Sequence, residues 1–322
     1  RYDGMTPHSV AGLRSRRDLF RGKSYQRVGL VEFTRGCCSR CDFCSITAFH
    51  GARQYHRPPH DVAAEMEASG RRWFFIVDDN LAAHPEWAKA LCQELAPLGV
   101  RWVGQVDLRA AEDDRLLERM VASGCRGVLV GMESLDSENL RSMGKSWNLA
   151  EKDYSRSLNR LRKHGLAVYG TFLFGYDNDD ADTIRRSVRF ARDEKLFLAA
   201  FNHLVPFPGT PLYRRLDQQG RLLTRKWWLS PEGSVGQVVF RPRRLAPDEL
   251  EQLCLDARRE FYGWSSILRR TCDLKVNASS PLMFATFLAL NLGSYRDINL
   301  RQGLRLGAGP SEQEPIHGPV SV

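Results

Sequence analysis

Between residues 28 and 205, six short apolar runs alternate with amphipathic stretches of helical period, and no other feature narrows the fold as far. Residues 28–33 (VGLVEF), 73–77 (WFFIV), 100–106, 127–132 (GVLVGM), 166–174 and 197–205 read as strands. Residues 61–68, 85–95, 113–122, 149–164 and 182–194 read as helices. Pro85 suits the first turn of its helix, and Gly99, Gly124 and Gly165 each stand just before a strand, where a left-handed residue ends the preceding helix. The strands are near-continuous apolar runs, as expected of parallel strands covered on both faces and joined by right-handed crossovers. Six such units can close into a partial barrel or lie open as a doubly wound sheet. After residue 221 the rhythm breaks into a Trp/Arg-rich segment, helices near 247–262 and 281–292, and a Gly/Pro/Ser-rich tail.

Composition excludes some classes. With 43% hydrophobic and 26% charged residues, the chain is of ordinary globular type. No apolar run reaches the roughly 18 residues of a membrane span. The nearest, 282–292 (LMFATFLALNL), reads as a buried helix. No signal peptide opens the chain, which predicts a cytoplasmic protein. It begins at Arg1 rather than Met and is expected to be a piece of a longer protein. The net charge of +9 gathers in residues 1–27 and around Arg241, Arg243, Arg244, Arg258, Arg259, Arg269 and Arg270. Such clusters suit an anionic partner or a solvated face equally, and nucleic-acid binding is not expected.

Four of the eight cysteines, Cys37, Cys38, Cys41 and Cys44, fall within eight residues, whereas Cys92, Cys125, Cys254 and Cys272 are scattered. That pattern points to metal or redox chemistry rather than to a disulfide framework. Parallel α/β folds place ligands at the carboxyl ends of their strands. There the chain carries the cysteines, then Asp78, Asp79 and Asn80, Gln105 and Asp107, Glu133 and Ser134, Gly175, Tyr176 and Asp177, and Pro206–Thr210. Structural zinc wants four ligands, usually in two separated pairs, and His50, His56 and His60 fit no such spacing. Cys38, Cys41 and Cys44 spell the C-x2-C-x2-C of a ferredoxin cluster, yet no fourth cysteine follows before Cys92. Cys37, Cys41 and Cys44 would instead hold three irons of a cubane and leave one open for a ligand.

The segment RGCCSRCDFCS (35–45) resembles the signature loop of the radical SAM superfamily. FFIVDDN (74–80), RWVGQVDLRAA (101–111), GCRGVLVGMESLDSENLRSMGKSWN (124–148), YGTFLFGYDND (169–179) and FPGTPLY (207–213) are similar, in order, to its cobalamin-associated branch. The resemblance spans roughly residues 12–305. It implies an α/β fold, a partial (β/α)6 TIM-like barrel over 28–220, with a basic lead-in (1–27), a mainly helical extension (221–305) and a disordered tail (306–322). It further implies a [4Fe–4S] cluster on Cys37, Cys41 and Cys44 whose open iron chelates S-adenosylmethionine (SAM) and splits it to a 5′-deoxyadenosyl radical. Phe43 then packs near the adenine, and Asp78, Asp79 and Asn80 sit where the SAM amino group binds, though some of the three are expected to cap the next helix instead. Gln105 and Glu133 contact the ribose and methionine parts, and Gly175 and Tyr176 lie by the adenine. His203, Tyr213 and Trp227 are candidates on the substrate side.

The implied reaction is methylation of an unreactive centre on a small molecule or lipid, with methylcobalamin as donor and a flavodoxin or ferredoxin as reductant. Two features depart from the family. Cys38 stands where proline is usual and is read as a bystander thiol. The cobalamin domain usual to the branch is not among these residues, although residues 14–20 resemble the linker that follows it, so the chain is expected to be the catalytic half of a longer protein. The rival expectations are a cobalamin-independent cyclase or RNA modifier, and an electron-transfer iron–sulfur protein.

Overall fold

The structure, a computed structural model, describes residues 12, 15–20, 22, 28–145 and 151–305. Most of the basic lead-in, residues 146–150 and the expected tail at 306–322 lie outside the described residues. In chain order the elements are β1 (Val28–Val31), β2 (Thr34–Gly36), α1 (Ser45–His50), β3 (Gln54–His56), α2 (Pro59–Ala68), β4 (Trp73–Ile76) and α3 (Pro85–Leu95). Next come β5 (Arg101–Val106), α4 (Asp114–Ala122), β6 (Cys125–Glu133), α5 (Ser137–Ser142), α6 (Glu151–Lys163), β7 (Ala167–Phe174), α7 (Ala181–Asp193) and β8 (Leu198–His203). The last are α8 (Pro211–Gln218), α9 (Pro247–Tyr262), α10 (Trp264–Thr271) and α11 (Pro281–Arg301).

The six expected strands form one parallel sheet in the order β1-β4-β5-β6-β7-β8. Each strand is followed by a helix that returns the chain, so the next strand must run parallel to it. Helix starts follow local chemistry. The side chains of Asp113, Asp136 and Asp180 accept the N–H groups of Leu116, Asn139 and Thr183, which open helices leave unpaired. Burial along β5 and β7 alternates between wholly buried and partly exposed positions. The near-continuous apolar runs therefore do not mark strands sealed equally on both faces; alternate side chains keep some access to solvent.

Two compact units make up the chain. The first comprises Arg1–Ser39, Ile46–Gly131 and Arg156–Val168 and holds β1 to β5 with α2, α3 and α4. Its core packs Phe33, Val62, Met66, Phe74, Leu91 and Trp102. The second comprises Arg40–Ser45, Met132–Ser155 and Tyr169–Val322 and holds α7, β8 and the C-terminal helices, with Phe172, Phe201, Phe240, Phe261 and Phe287 buried.

In the second unit two sequence expectations change. Arg270, read as one of a surface cluster, is wholly buried. Its guanidinium lies 3.9 Å from the centre of the Phe261 ring and donates to the carbonyls of Leu196, Phe197 and Phe261. A planar five-donor group suits that site because it caps several loose carbonyls while its faces stay apolar. The remaining arginines are largely spent in ion pairs, as Arg243 with Asp177 and Arg269 with Asp193. The apolar helix expected to be buried at 282–292 extends over all of α11, where Leu282 is 66% and Leu290 47% exposed while Phe287 and Asn291 face inward. Its apolar residues run round the whole helix, and only one side finds a partner. Among the described residues no helix is long and apolar enough to cross a membrane.

Arg270→Ala would take this donor from the buried Leu196 and Phe261 carbonyls, leave Phe197 to Asn291, and open a void, costing about 3 kcal/mol or more. We expect the thermal midpoint, followed by circular dichroism, to fall by on the order of 5–10 °C, with Arg270→Lys failing to restore it. An unchanged midpoint would show that this cap carries no stability.

Candidate active site

The cysteine loop lies between β2 and α1. Neither the short antiparallel pair β2–β3 nor α1 was read from the sequence; the pair joins Thr34 to His56 and Gly36 to Gln54, so the loop and α1 are tied off at their base. Gly36 has φ +86°, and a Cβ there would stand 2.2 Å from the Arg53 carbonyl, so only glycine can occupy the position before Cys37. All eight cysteines are free of disulfides; Cys38 is exposed, Cys37 and Cys44 half-buried, Cys41 buried. The Ser39 N–H points at Cys37 Sγ from 3.5 Å, and Cys44 N–H closes a turn on the Cys41 carbonyl. Burial, with the neighbouring Cys37, pushes the Cys38 thiol above its ordinary pKa. Cys92, Cys125 and Cys254 are buried, as small core residues should be.

In the first unit the three polar residues after β4 do three different things. Asp78 is buried and accepts the Phe33 N–H and the Thr34 hydroxyl, each at 2.8 Å. Burial raises its pKa from 3.8 to about 7 against the opposing pull of those two bonds. Asp79 accepts the Gly36 N–H at 3.0 Å. Asn80 donates to Asp107 at 2.8 Å, and its own Oδ1 is buried without a hydrogen-bond partner. None of the three caps α3, whose N-cap is His84. Gln105 is half-buried, and its backbone carbonyl receives the Leu81 N–H. Asp107 caps the short turn after β5 and pairs with Arg109.

In the second unit Glu133, at the end of β6, has φ +64° and pairs with Lys145 at 2.7 Å. A left-handed glutamate is strained, and such strain persists only where the surroundings impose it. Gly175 has φ +110°, and its Cβ position would meet Phe240 at 2.8 Å and Leu250 at 3.0 Å. Packing by these two side chains accounts for that glycine. The N–H groups of Gly175 and Tyr176 both donate to Asp179, which Asn139 also supports. Burial raises the Asp179 pKa to about 7. The Tyr176 hydroxyl donates to Asp42, between the second and third cysteines, and Arg215 donates to the same carboxylate. Phe43 is half-buried beside it.

The substrate-side candidates fare unevenly. His203 is buried, its pKa depressed by that burial, with Nδ1 3.0 Å from the Leu204 carbonyl. Tyr213 and Trp227 spend their polar ends on the Arg225 and Pro206 carbonyls. Their rings join Phe207 and Trp228 in a partly exposed aromatic group. Asp42, Lys145, Asp179 and Arg215 were missed in the sequence. Asp42, Lys145 and Asp179 carried a local signal in their places within the quoted motifs, and Arg215 carried none.

The donor set discriminates between metals. Among the described residues no three His, Cys, Asp or Glu side chains converge as a cage for one metal ion. A polynuclear cluster makes no such demand, because each thiolate binds a different iron. Three disulfide-free thiols on one tied-off loop fit that group. The buried Asn80 Oδ1, an acceptor with no donor, fits a ligand ammonium.

Asp78 supplies a pH test. Its folded pKa lies above the ordinary value, so the neutral acid stabilises the fold. The contribution is complete below about pH 4, lost as pH rises toward 7, and on the order of 4 kcal/mol in full. Asp78→Asn cannot ionise, so in denaturant titrations its stability relative to the parent should climb across that window. A difference independent of pH would mean that Asp78 is not held neutral by burial.

Residues 31–191, half of the chain, match the family described as "Radical SAM superfamily". The chain is 28% identical over 254 residues to the bacteriochlorophyllide d C-12(1)-methyltransferase of Chlorobaculum tepidum, covering 77% of this chain and 54% of that protein. It is 27% identical over 204 residues to the anaerobic magnesium-protoporphyrin IX monomethyl ester cyclase of Rubrivivax gelatinosus, covering 60% and 36%. In fold it resembles the radical S-adenosylmethionine methyltransferase TsrM of Kitasatospora setae, solved with cobalamin and a [4Fe–4S] cluster bound, with a TM-score of 0.54 and 24% identity over 70% of this chain and 43% of that one. The chain thus spans about half the length of such relatives or less. Sequence match, parallel sheet and thiol loop agree: the chain belongs to the radical SAM superfamily.

Proposed function

We propose that Cys37, Cys41 and Cys44 hold a [4Fe–4S] cluster and that the chain is the radical SAM part of a cobalamin-dependent methyltransferase acting on an unreactive centre of a small molecule or lipid. The observation that carries this reading is the set of three disulfide-free thiols on a loop closed off by β2 and β3. When bound, the cluster supplies the electron that splits SAM reductively to methionine and a 5′-deoxyadenosyl radical, and cobalamin supplies the methyl group. The chain's own residues prepare for this. Asp79 steadies the backbone before Cys37 and keeps a second carboxylate oxygen for an ammonium, to which Asn80 Oδ1 adds a neutral acceptor. Gln105 and Glu133 stand at strand ends as hydrogen-bonding groups for the ribose and methionine parts, Lys145 balancing the glutamate. Phe43 offers a half-buried apolar edge to the adenine, and Tyr176 and Gly175 shape the neighbouring backbone. Asp78 ties the end of β4 to the start of β2 and is assigned no ligand contact. A flavodoxin- or ferredoxin-type protein would deliver the electron.

The likeness to the cyclase favours one second reading, ring closure without methyl transfer. Added methylcobalamin separates the two, since only the first predicts a methylated product.

Reconstitution with iron and sulfide under argon, then addition of dithionite and SAM, tests the core. We expect 5′-deoxyadenosine in the parent. Single alanine changes at Cys37, Cys41 or Cys44 should abolish it and strip iron, whereas Cys38→Ala should leave both intact. A cluster-loaded chain that releases no 5′-deoxyadenosine would overturn the reading. Loss of iron in Cys38→Ala with retention in Cys37→Ala would move the cluster to the other cysteine register.

A further inference from the structure

Asp42 occupies the middle of the cysteine loop, and all of its polar groups are taken by segments far away in the chain. Its N–H donates to the Met143 carbonyl at 3.0 Å, and its carbonyl accepts the Leu212 N–H at 3.0 Å. One carboxylate oxygen accepts the Tyr176 hydroxyl and the other the Arg215 guanidinium at 2.6 Å. The sites of attachment are the end of α5, the tip of β7 and the first turns of α8. Local chemistry explains each of them. Leu212 is in the first turn of a helix that starts with Pro211, so its N–H has no partner within the helix and is available to the loop. Tyr176 is buried, and burial together with the adjacent Asp42 charge pushes its pKa far above the ordinary range, so the phenol stays a donor. Arg215 stands one turn on from Leu212, on the same face of α8, and its side chain is 35% exposed against 11% for Asp42.

A nearly buried carboxylate between two thiolate ligands is an unusual choice. Left alone it would add negative charge beside a cluster that is itself anionic through its thiolates, and net charge close to the irons is one of the determinants of reduction potential. Arg215 opposes that charge at hydrogen-bond distance, the carboxylate itself being only 11% exposed. The arginine is separated from its partner by 173 positions, so no local folding requirement places it there.

We infer that Arg215 is a positioning residue which, through Asp42, keeps the Cys41–Cys44 segment in its ligating shape and raises the potential of the cluster that it holds. This rests on the cluster assignment made above. The aspartate–arginine pair is net neutral. Removal of the cation alone leaves one extra negative charge near the irons and makes reduction harder, and removal of the carboxylate charge alone does the reverse. Removal of both restores neutrality.

The test is a redox titration of reconstituted protein followed by electron paramagnetic resonance, on the parent and on Arg215→Met, Asp42→Asn and the double variant. Iron content and circular dichroism of each sample report loading and folding. Expected are a lower midpoint for Arg215→Met, a higher one for Asp42→Asn, and a near-parental value for the double variant. The single variants should each differ by about tenfold in the reduced-to-oxidised ratio at fixed potential, which is 59 mV for one electron. Arg215→Lys, which keeps the charge, should stay near the parent. Should Arg215→Met not take up iron, the double variant and Arg215→Lys are expected to do so, and their failure alongside it would reduce the arginine to a purely structural prop and overturn the inference. Midpoints that do not move, or that move in the same direction for both single variants, would also overturn it. A parent chain that binds no cluster at all would instead defeat the cluster assignment, which separates the two failures.

Discussion

Carboxylates hold the cysteine loop in place of a backbone ladder. Between Gly36 and Ser45 the chain makes little hydrogen bonding of its own beyond the single turn from Cys41 to Cys44. Its approach is secured in the first unit, where Asp78 takes the Phe33 N–H and the Thr34 hydroxyl and Asp79 takes the Gly36 N–H. Its middle is secured in the second, where Asp42 is held from four sides. Bonds to a charged acceptor are stronger than those between neutral groups, so one carboxylate can impose a shape that short, irregular segments could not keep. The opposing cost is desolvation, which raises the pKa of Asp78 and of Asp179 from 3.8 to about 7.

This division of labour reorders the polar residues at the strand ends. A row of acids just past parallel strands invites assignment to a ligand, yet Asp78 and Asp179 are consumed in fixing loops, and Gly175 answers to Phe240 and Leu250. Among the described residues, groups with capacity left over include the second oxygen of Asp79, the orphan oxygen of Asn80, the side chain of Gln105, and Glu133, held in a strained backbone and balanced by Lys145.

The C-terminal part shows a similar economy. It lies largely beyond the stretch matched to the superfamily, and Arg270, a cation in its core, caps the carbonyls of Leu196, Phe197 and Phe261. Arg270 is an interior cap, whereas Arg243 and Arg269 pair with acids while staying at the surface.

Much of the architecture was legible from the residues alone. Alternating periods placed six strands and their helices, with α3 and α9 found to the residue, because apolar repeats and caps act over a few neighbours. The three cysteines were legible for the same reason, since their spacing is a local fact. What the sequence could not reveal was assigned by contacts between distant positions. Nothing near Arg270 says that its guanidinium is buried, nothing in residues 282–292 says that one side of α11 would be left open, and nothing in the helix of Arg215 points to Asp42. Local patterning determined which elements form and where the thiols cluster. Only the tertiary structure decided which charged side chains shape the loop and which remain for a ligand, because a carboxylate becomes a clamp or a contact according to the donors that folding brings to it.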